Sequence, residues 1–197
     1  MGAVAKKNGD LRPRISAEAT RLFAAKGYAG VSVREIAIAC DCTKPAVYYY
    51  FGSKEGLFES VVREHLDACS EAIESLNQGV GTARERIHRT LDLFSNWSLS
   101  DPDAMRLLLR IRNHTEREAP EVDVEAVHSL HMQLIADAIR RGVVKGEIRP
   151  DVEPLECALV VAGALHFNFE LSLKSGEWNR DLLHRTVDMI FDGVAKQ

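Results

Sequence analysis

The sequence predicts an all-α protein of about nine helices. Three observations carry this. Apolar residues recur at helical spacing in the periodic segments, no segment keeps the two-residue alternation of a strand, and turn chemistry cuts the chain between the periodic stretches. Apolar residues make up 46% of the 197, enough for a core and against global disorder.

Each element has a local reason. Ile15, Ala19, Leu22 and Phe23 share one face of a first helix, which Lys26 and Gly27 close. Ser32-Val33-Arg34-Glu35 is a capping box, and Val33, Ile36, Ala37 and Cys40 give a short second helix behind it. Asp41 and Cys42 make a tight turn, with Asp41 tolerating a left-handed backbone. Thr43 is a natural N-cap, and Pro45 fits a first turn, where its missing N–H costs nothing. TKPAVYYYF therefore starts a third helix, ended by Gly52. Ser53 caps a fourth, with Leu57, Phe58, Val61, Val62, Leu66, Cys69, Ile73 and Leu76 on its apolar side. Five more are expected over 82–98, 102–117 (Asp101 as cap, Pro102 first), 120–144, 153–175 and 180–195. Turn chemistry at 79–81, 100–102, 119–120, 146–150 and 175–176 separates them. The expected division is a helix-turn-helix domain over 1–55, with 1–11 as a flexible arm, and a ligand-binding and dimerisation domain over 56–197.

The net charge of −4 hides an asymmetry. Residues 1–60 hold nine of the 25 basic side chains and six of the 29 acidic ones, a balance of +3; the remaining 16 and 23 give −7. A basic head on an acidic body is expected where only the head meets phosphate. Cys40, Cys42, Cys69 and Cys157 have neither metal spacing nor disulfide density, and are read as reduced small apolar residues. The N-terminus is polar and basic without a signal segment, and the longest apolar run, 158–165, is short of a membrane span. A cytoplasmic chain with no membrane partner is expected.

Successive helical residues point about 100° apart, so the aromatics of VYYYF divide their work. Val47 and Phe51, at i and i+4, pack inward, while Tyr48, Tyr49 and Tyr50 spread outward with hydroxyls fit to meet phosphate oxygens. The second and third helices form a helix-turn-helix whose later helix enters the major groove front first. That front is Thr43, Lys44, Pro45 and Ala46. Lys44 suits guanine, and Pro45 and Ala46 suit a thymine methyl. Arg34 and Lys54 are placed for backbone phosphate or a groove edge.

Residues 12–62 closely resemble the DNA-binding domain of the TetR family of transcriptional regulators, through LFAAKGY, SVREIA, VYYYF and GSKEGLF in register. The resemblance implies DNA contacts from Thr43, Lys44, Tyr48, Tyr49, Tyr50 and Lys54, with Ser32 and Arg34 from the second helix. Asp41 stands where a turn glycine is common, and Tyr50 where histidine is frequent. The family's body binds a small molecule and dimerises through its last two helices.

The body's own pattern agrees with dimerisation. Apolar residues surround much of 153–175, and Leu183, Val187, Ile190, Phe191 and Val194 stripe the last helix. The expected homodimer interface is Leu159, Gly163, Phe167, Val187, Ile190 and Phe191, and its two-fold axis implies a palindromic double-stranded operator with half-sites about 34 Å apart or more. Phe94, Trp97, Met105, Leu108, Arg112, His131, Ile135, His166 and Phe167 are the candidate pocket for a small-molecule effector. Arg110, His114, Asn168 and Glu170 are further polar candidates. The expected function is a repressor released from DNA by that effector. A helix-turn-helix regulator without an effector is the alternative. Glu85/His88 and Glu125/His128 match the spacing of a di-metal enzyme. Arg84, Arg86 and Arg89 mark the first pair as a solvated face, so no metal, cofactor or catalytic site is expected.

Overall fold

The computed structural model describes residues 11–76, 80–113, 115–116, 118–175, 177 and 179–194. Residues 1–10 of the expected arm and His114 lie outside them. Nine helices stand among the described residues: α1 (Leu11–Lys26), α2 (Val33–Ala39), α3 (Lys44–Phe51), α4 (Lys54–Leu76), α5 (Ala83–Ser100), α6 (Pro102–Arg112), α7 (Glu125–Val144), α8 (Pro154–Ser175) and α9 (Arg180–Val194). The all-α expectation holds.

Two boundaries differ from the sequence reading. The helix expected over 102–117 stops at Arg112, because Asn113 caps it and the Thr115 N–H turns back to the Arg110 carbonyl. The helix expected from 120 starts at Glu125. The β-branched Val122 and Val124 lower the helix propensity of the stretch before it.

The chain forms two compact units. The first comprises residues up to 67 together with 101–124. Its core is Ile15, Ala19 and Phe23 of α1, Ile36 and Ala37 of α2, Val47 of α3, Leu57, Phe58, Val61 and Val62 of α4, and Leu107 of α6. Phe58 meets Phe23 edge-on at 5.2 Å and Tyr28 at 5.1 Å. The α6 helix packs along α1.

The second unit comprises residues 68–100 and 125 onward. There α5 touches α7 and α9, while α8 also touches α7 and α9, so the four helices close a ring. Ile87, Leu91, Ile135, Ile139, Ala158, Val161, Leu183 and Val187 fill it. Glu85 is a capping residue: it accepts the Thr82 N–H at 2.9 Å, and Thr82 Oγ1 accepts the Glu85 N–H at 3.2 Å. His88 belongs to a polar ladder between α5 and α9. Its Nδ1 lies 2.6 Å from His184 Nδ1, its Nε2 meets Asp188 at 2.9 Å, and His184 Nε2 meets Asp92 at 3.0 Å. Arg84 pairs with Asp188 and Asp192, and Arg180 with Asp92.

Phe58→Ala is expected to cost about 3–5 kcal/mol by emptying a fully buried site, read by urea denaturation. The His88 hydrogen bond, with the charges of His88 and Arg84, holds the Asp188 carboxyl below its usual range. A depressed carboxyl contributes stability above its unfolded pKa, about 3.9, and loses it as pH falls through the folded value. Asp188→Asn should therefore flatten the fall of Tm below about pH 4, measured by thermal scans against pH.

Candidate nucleic-acid interface

Local chemistry builds the helix-turn-helix as its residues suggest. Ser32, at φ −106° and ψ 149°, caps α2 and accepts the Glu35 N–H at 3.2 Å. Lys26 binds the Glu35 carboxylate and, as the leading cause, lowers its pKa. After α2 the chain turns through Asp41, whose φ is +46°. The left-handed residue expected at this position is the one observed. The Cys42 N–H then returns to the Ala37 carbonyl at 2.9 Å. Thr43 Oγ1 accepts the Ala46 N–H at 3.3 Å and opens α3, with Pro45 in its first turn. Burial pushes the Cys40 thiol up to about 11 and raises that of Cys42, which keeps both neutral.

Val47 is the buried side chain of α3. Phe51 is half-buried under the guanidinium of Arg12, 5.3 Å from its ring. The opposite surface is open. Thr43, Lys44 and Pro45 are exposed and Ala46 is half-buried. Tyr48 is exposed, and Tyr49 is 83% exposed. Tyr50 is half-buried edge-on to Tyr49, with ring centres 5.2 Å apart. Ser32 and Arg34 are exposed at the start of α2. Lys54 is half-buried, and its ammonium sits 4.1 Å from the centre of the Tyr28 ring. The helix front, three tyrosines and the exposed cations Arg34 and Lys44 thus share one small module. A large exposed ring on a short basic helix suits stacking, apolar contact and hydroxyl donation to a polyanion.

Sequence reasoning passed over Arg14, whose Nη2 donates to the Cys40 carbonyl at 2.9 Å and ties α1 to the turn. It also passed over Tyr28. The Tyr28 hydroxyl donates to Glu55 at 3.0 Å, and burial first, then that carboxylate, pushes the phenol up to about 12. The only sequence hint was an aromatic directly after a helix-ending glycine.

The body candidates scatter. In the second unit Phe94 and His131 are buried in ring contact, 4.2 Å between centres, and Ile135 is buried. Trp97 joins Phe94, Cys69, Ala72 and Leu93 around a void of about 10 Å³. His166 is half-buried beside Glu170 at 3.5 Å. Phe167, expected in both the pocket and the dimer interface, is 62% exposed, which suits the interface better than a place inside the body. Met105, Leu108 and Arg112 sit on α6, in the first unit. Of the expected interface, Leu159, Gly163 and Phe167 are exposed and Ile190 is half-buried. Val187 and Phe191 are corrections: both are buried inside the second unit, because the 183, 187, 191 stripe of α9 faces its own core. Leu182 and Met189 are exposed instead. One segment among the described residues, Pro154–Ser172, is long and apolar enough by composition to cross a membrane, with 39% of it buried in the chain. No group of three or more His, Cys, Asp or Glu among the described residues is placed to hold a metal ion.

Residues 15–61 match the model of the bacterial regulatory proteins, tetR family. Across 202 aligned residues the chain is 30% identical to the HTH-type transcriptional repressor AcnR of Corynebacterium glutamicum, covering 99% of this chain and 98% of that one. The chain belongs to the TetR family. It is accordingly a helix-turn-helix transcriptional regulator. The TetR-family regulator PfmR of Thermus thermophilus has the same fold, with a TM-score of 0.75 over 93% of this chain and 100% of that one at 24% identity. The regulator FadR of Bacillus subtilis, solved with stearoyl-CoA, superposes with a TM-score of 0.72 over 92% of this chain and 98% of its own at 16% identity.

Removing the α3 cap tests the local argument. Thr43→Ala should cost about 1 kcal/mol of stability, and Thr43→Ser should restore most of it, both measured by chemical denaturation.

Proposed function

We propose that this TetR-family chain is a repressor that binds a palindromic operator as a homodimer and leaves it when an effector binds the body. The observation that carries the DNA reading is the outward face of α3, where Lys44, Tyr48 and Tyr49 stand exposed on a helix anchored by Val47. In this reading Thr43, Lys44, Pro45 and Ala46 face base edges. Ser32, Arg34, Tyr48, Tyr49, Tyr50 and Lys54 face the backbone. The functional boundary lies near residue 55, and the protein works in the cytoplasm, where the DNA is.

Exposed apolar residues support the dimer. Leu155, Leu159, Val160, Phe167 and Leu171 of α8, with Leu182 and Met189 of α9, leave large apolar side chains exposed on two successive helices. A second copy would cover them by helix packing, and the two-fold axis would pair the recognition helices.

Effector binding would act by population shift, favouring bodies whose recognition helices are wrongly spaced for adjacent grooves. The stearoyl-CoA held by FadR supports an effector with an apolar body. Phe94, Trp97, His131 and Ile135 are the inner residues such a molecule would meet. Their close packing also favours a second reading, a regulator without an effector: a void of about 10 Å³ must open many-fold before it holds an organic molecule.

A duplex pool of random sequence, selected on the purified protein at low ionic strength, tests the DNA reading. A palindrome is the expected product; retention of no duplex refutes it. Arg34, Lys44 and Lys54 give roughly six cations per dimer, so log K should fall with log salt at a slope of roughly −5. Lys44→Ala should cost about 1–3 kcal/mol and relax specificity at one base pair per half-site. An effector is expected to weaken operator affinity about 5–150-fold, read by fluorescence anisotropy.

A further inference from the structure

Glu116 carries a carboxylate only 6% exposed, in the segment that follows α6. Its Oε1 accepts from Arg110 Nε at 2.6 Å. Its Oε2 accepts the backbone N–H of Tyr28, 88 residues earlier, at 2.7 Å. The end of α1 explains why that N–H is available. The Gly27 N–H closes the helix onto the Phe23 carbonyl in a single left-handed cap, at φ +75°. This form of cap, unlike the two-bond form, leaves the next N–H without a helical acceptor. Glu116 supplies one. The seat is also shaped for it: a Cβ on Gly27 would stand 2.8 Å from Arg110 Nη2 and 2.9 Å from both Glu116 oxygens.

Tyr28 passes the restraint on. Its ring stacks on Phe23 at 6.0 Å and meets Phe58 edge-on. Its free face carries the Lys54 ammonium, and its hydroxyl holds Glu55. Both are in the first turn of α4. A lysine with four rotatable bonds is thus given a fixed starting position by a tyrosine whose own backbone is pinned from beyond α6.

We propose that Glu116, seated by Arg110, is a positioning residue for DNA binding: it pins Tyr28, and through the Tyr28 ring it presents Lys54 to the phosphate backbone. The inference rests on the DNA reading of α3 and Lys54. A packing role alone would be met by any apolar side chain that filled the space. The positioning role needs two acceptor oxygens, one for Arg110 and one for the Tyr28 N–H. Glutamine offers a single acceptor oxygen, so Glu116→Gln loses one of the two.

The test has two arms on the full chain. In the free protein, the Lys54 ε-methylene protons should resonate upfield, shielded by the Tyr28 ring. Glu116→Gln and Arg110→Gln should move them toward the position of a free lysine and speed exchange of the Tyr28 amide. An unchanged Lys54 resonance in both folded variants overturns the proposal. In the second arm, a duplex selected on the wild-type protein is titrated with Glu116→Gln, Lys54→Gln and the double variant. Glu116→Gln should reduce the salt slope by about 1 per head, as Lys54→Gln does. The two losses of affinity should overlap in the double variant. Fully additive losses with an unchanged salt slope in Glu116→Gln also overturn it. A wild-type chain that selects no duplex refutes the DNA reading itself, while the Lys54 resonance still decides whether Glu116 holds that lysine.

Discussion

An isolated helix of eight residues does not persist in water, because the first turn costs more order than its one hydrogen bond returns. The α3 helix has that length and buries Val47 as its anchor. Ala46, Tyr50 and Phe51 are half-buried beside it, while Tyr48 and Tyr49 stay open to solvent, so packing holds one side only. Its ends add to that hold. Thr43 satisfies an amide at one end, Asp41 sets the angle of entry, and the Gly52 N–H closes on the Tyr48 carbonyl at 2.8 Å at the other. A surface meant for a duplex must stay uncovered by its own chain, so it must be held from its ends. The outward aromatics and the dense capping are two sides of one requirement.

The same logic extends into the first unit. Side chains outside α3 tie the module down. Arg14 reaches the carbonyl at the end of α2, Lys26 reaches Glu35 at its start, and Arg110 with Glu116 reaches the turn after α1. Each joins a charge to a backbone group or an opposite charge, and each spares Arg34 and Lys44 for an outside partner. The second unit uses its charge differently. Along α5 and α9, carboxylates alternate with Arg84, His88, His184 and Arg180, so the ionic groups of that seam are matched to one another.

What the sequence could disclose follows from range. The caps at Ser32 and Thr43, the turn at Asp41 and the inward Val47 depend on neighbours within four residues, and all are legible. The helix over 102–117 reads too long because the pull of Thr115 toward the Arg110 carbonyl competes with continuation, and periodicity alone does not weigh it. Val187 and Phe191 read as interface because an apolar stripe declares that it will be covered without declaring by what. Glu116 is invisible for the same reason carried further: its partners are a backbone N–H 88 residues away and an arginine that reads as a polar candidate for the body's pocket. Local order is written in adjacent residues, whereas the choice of partner for a face or a carboxylate is made by the whole fold.

The charge balance resolves an apparent conflict between a chain of net charge −4 and a polyanionic target. Coulomb attraction in physiological salt is felt over about 8 Å. On the proposed reading, a duplex docked on α3 would sense Arg34, Lys44 and Lys54 and be screened from carboxylates farther off. The tyrosines matter for this reason. A hydroxyl donates to phosphate without adding a cation, so on that reading three such groups would add contacts and register without adding long-range Coulomb attraction. Affinity from a few lysines and arginines, registry from neutral donors and choice of sequence from the base-facing front of α3 would together let an acidic protein sit on DNA at chosen sites.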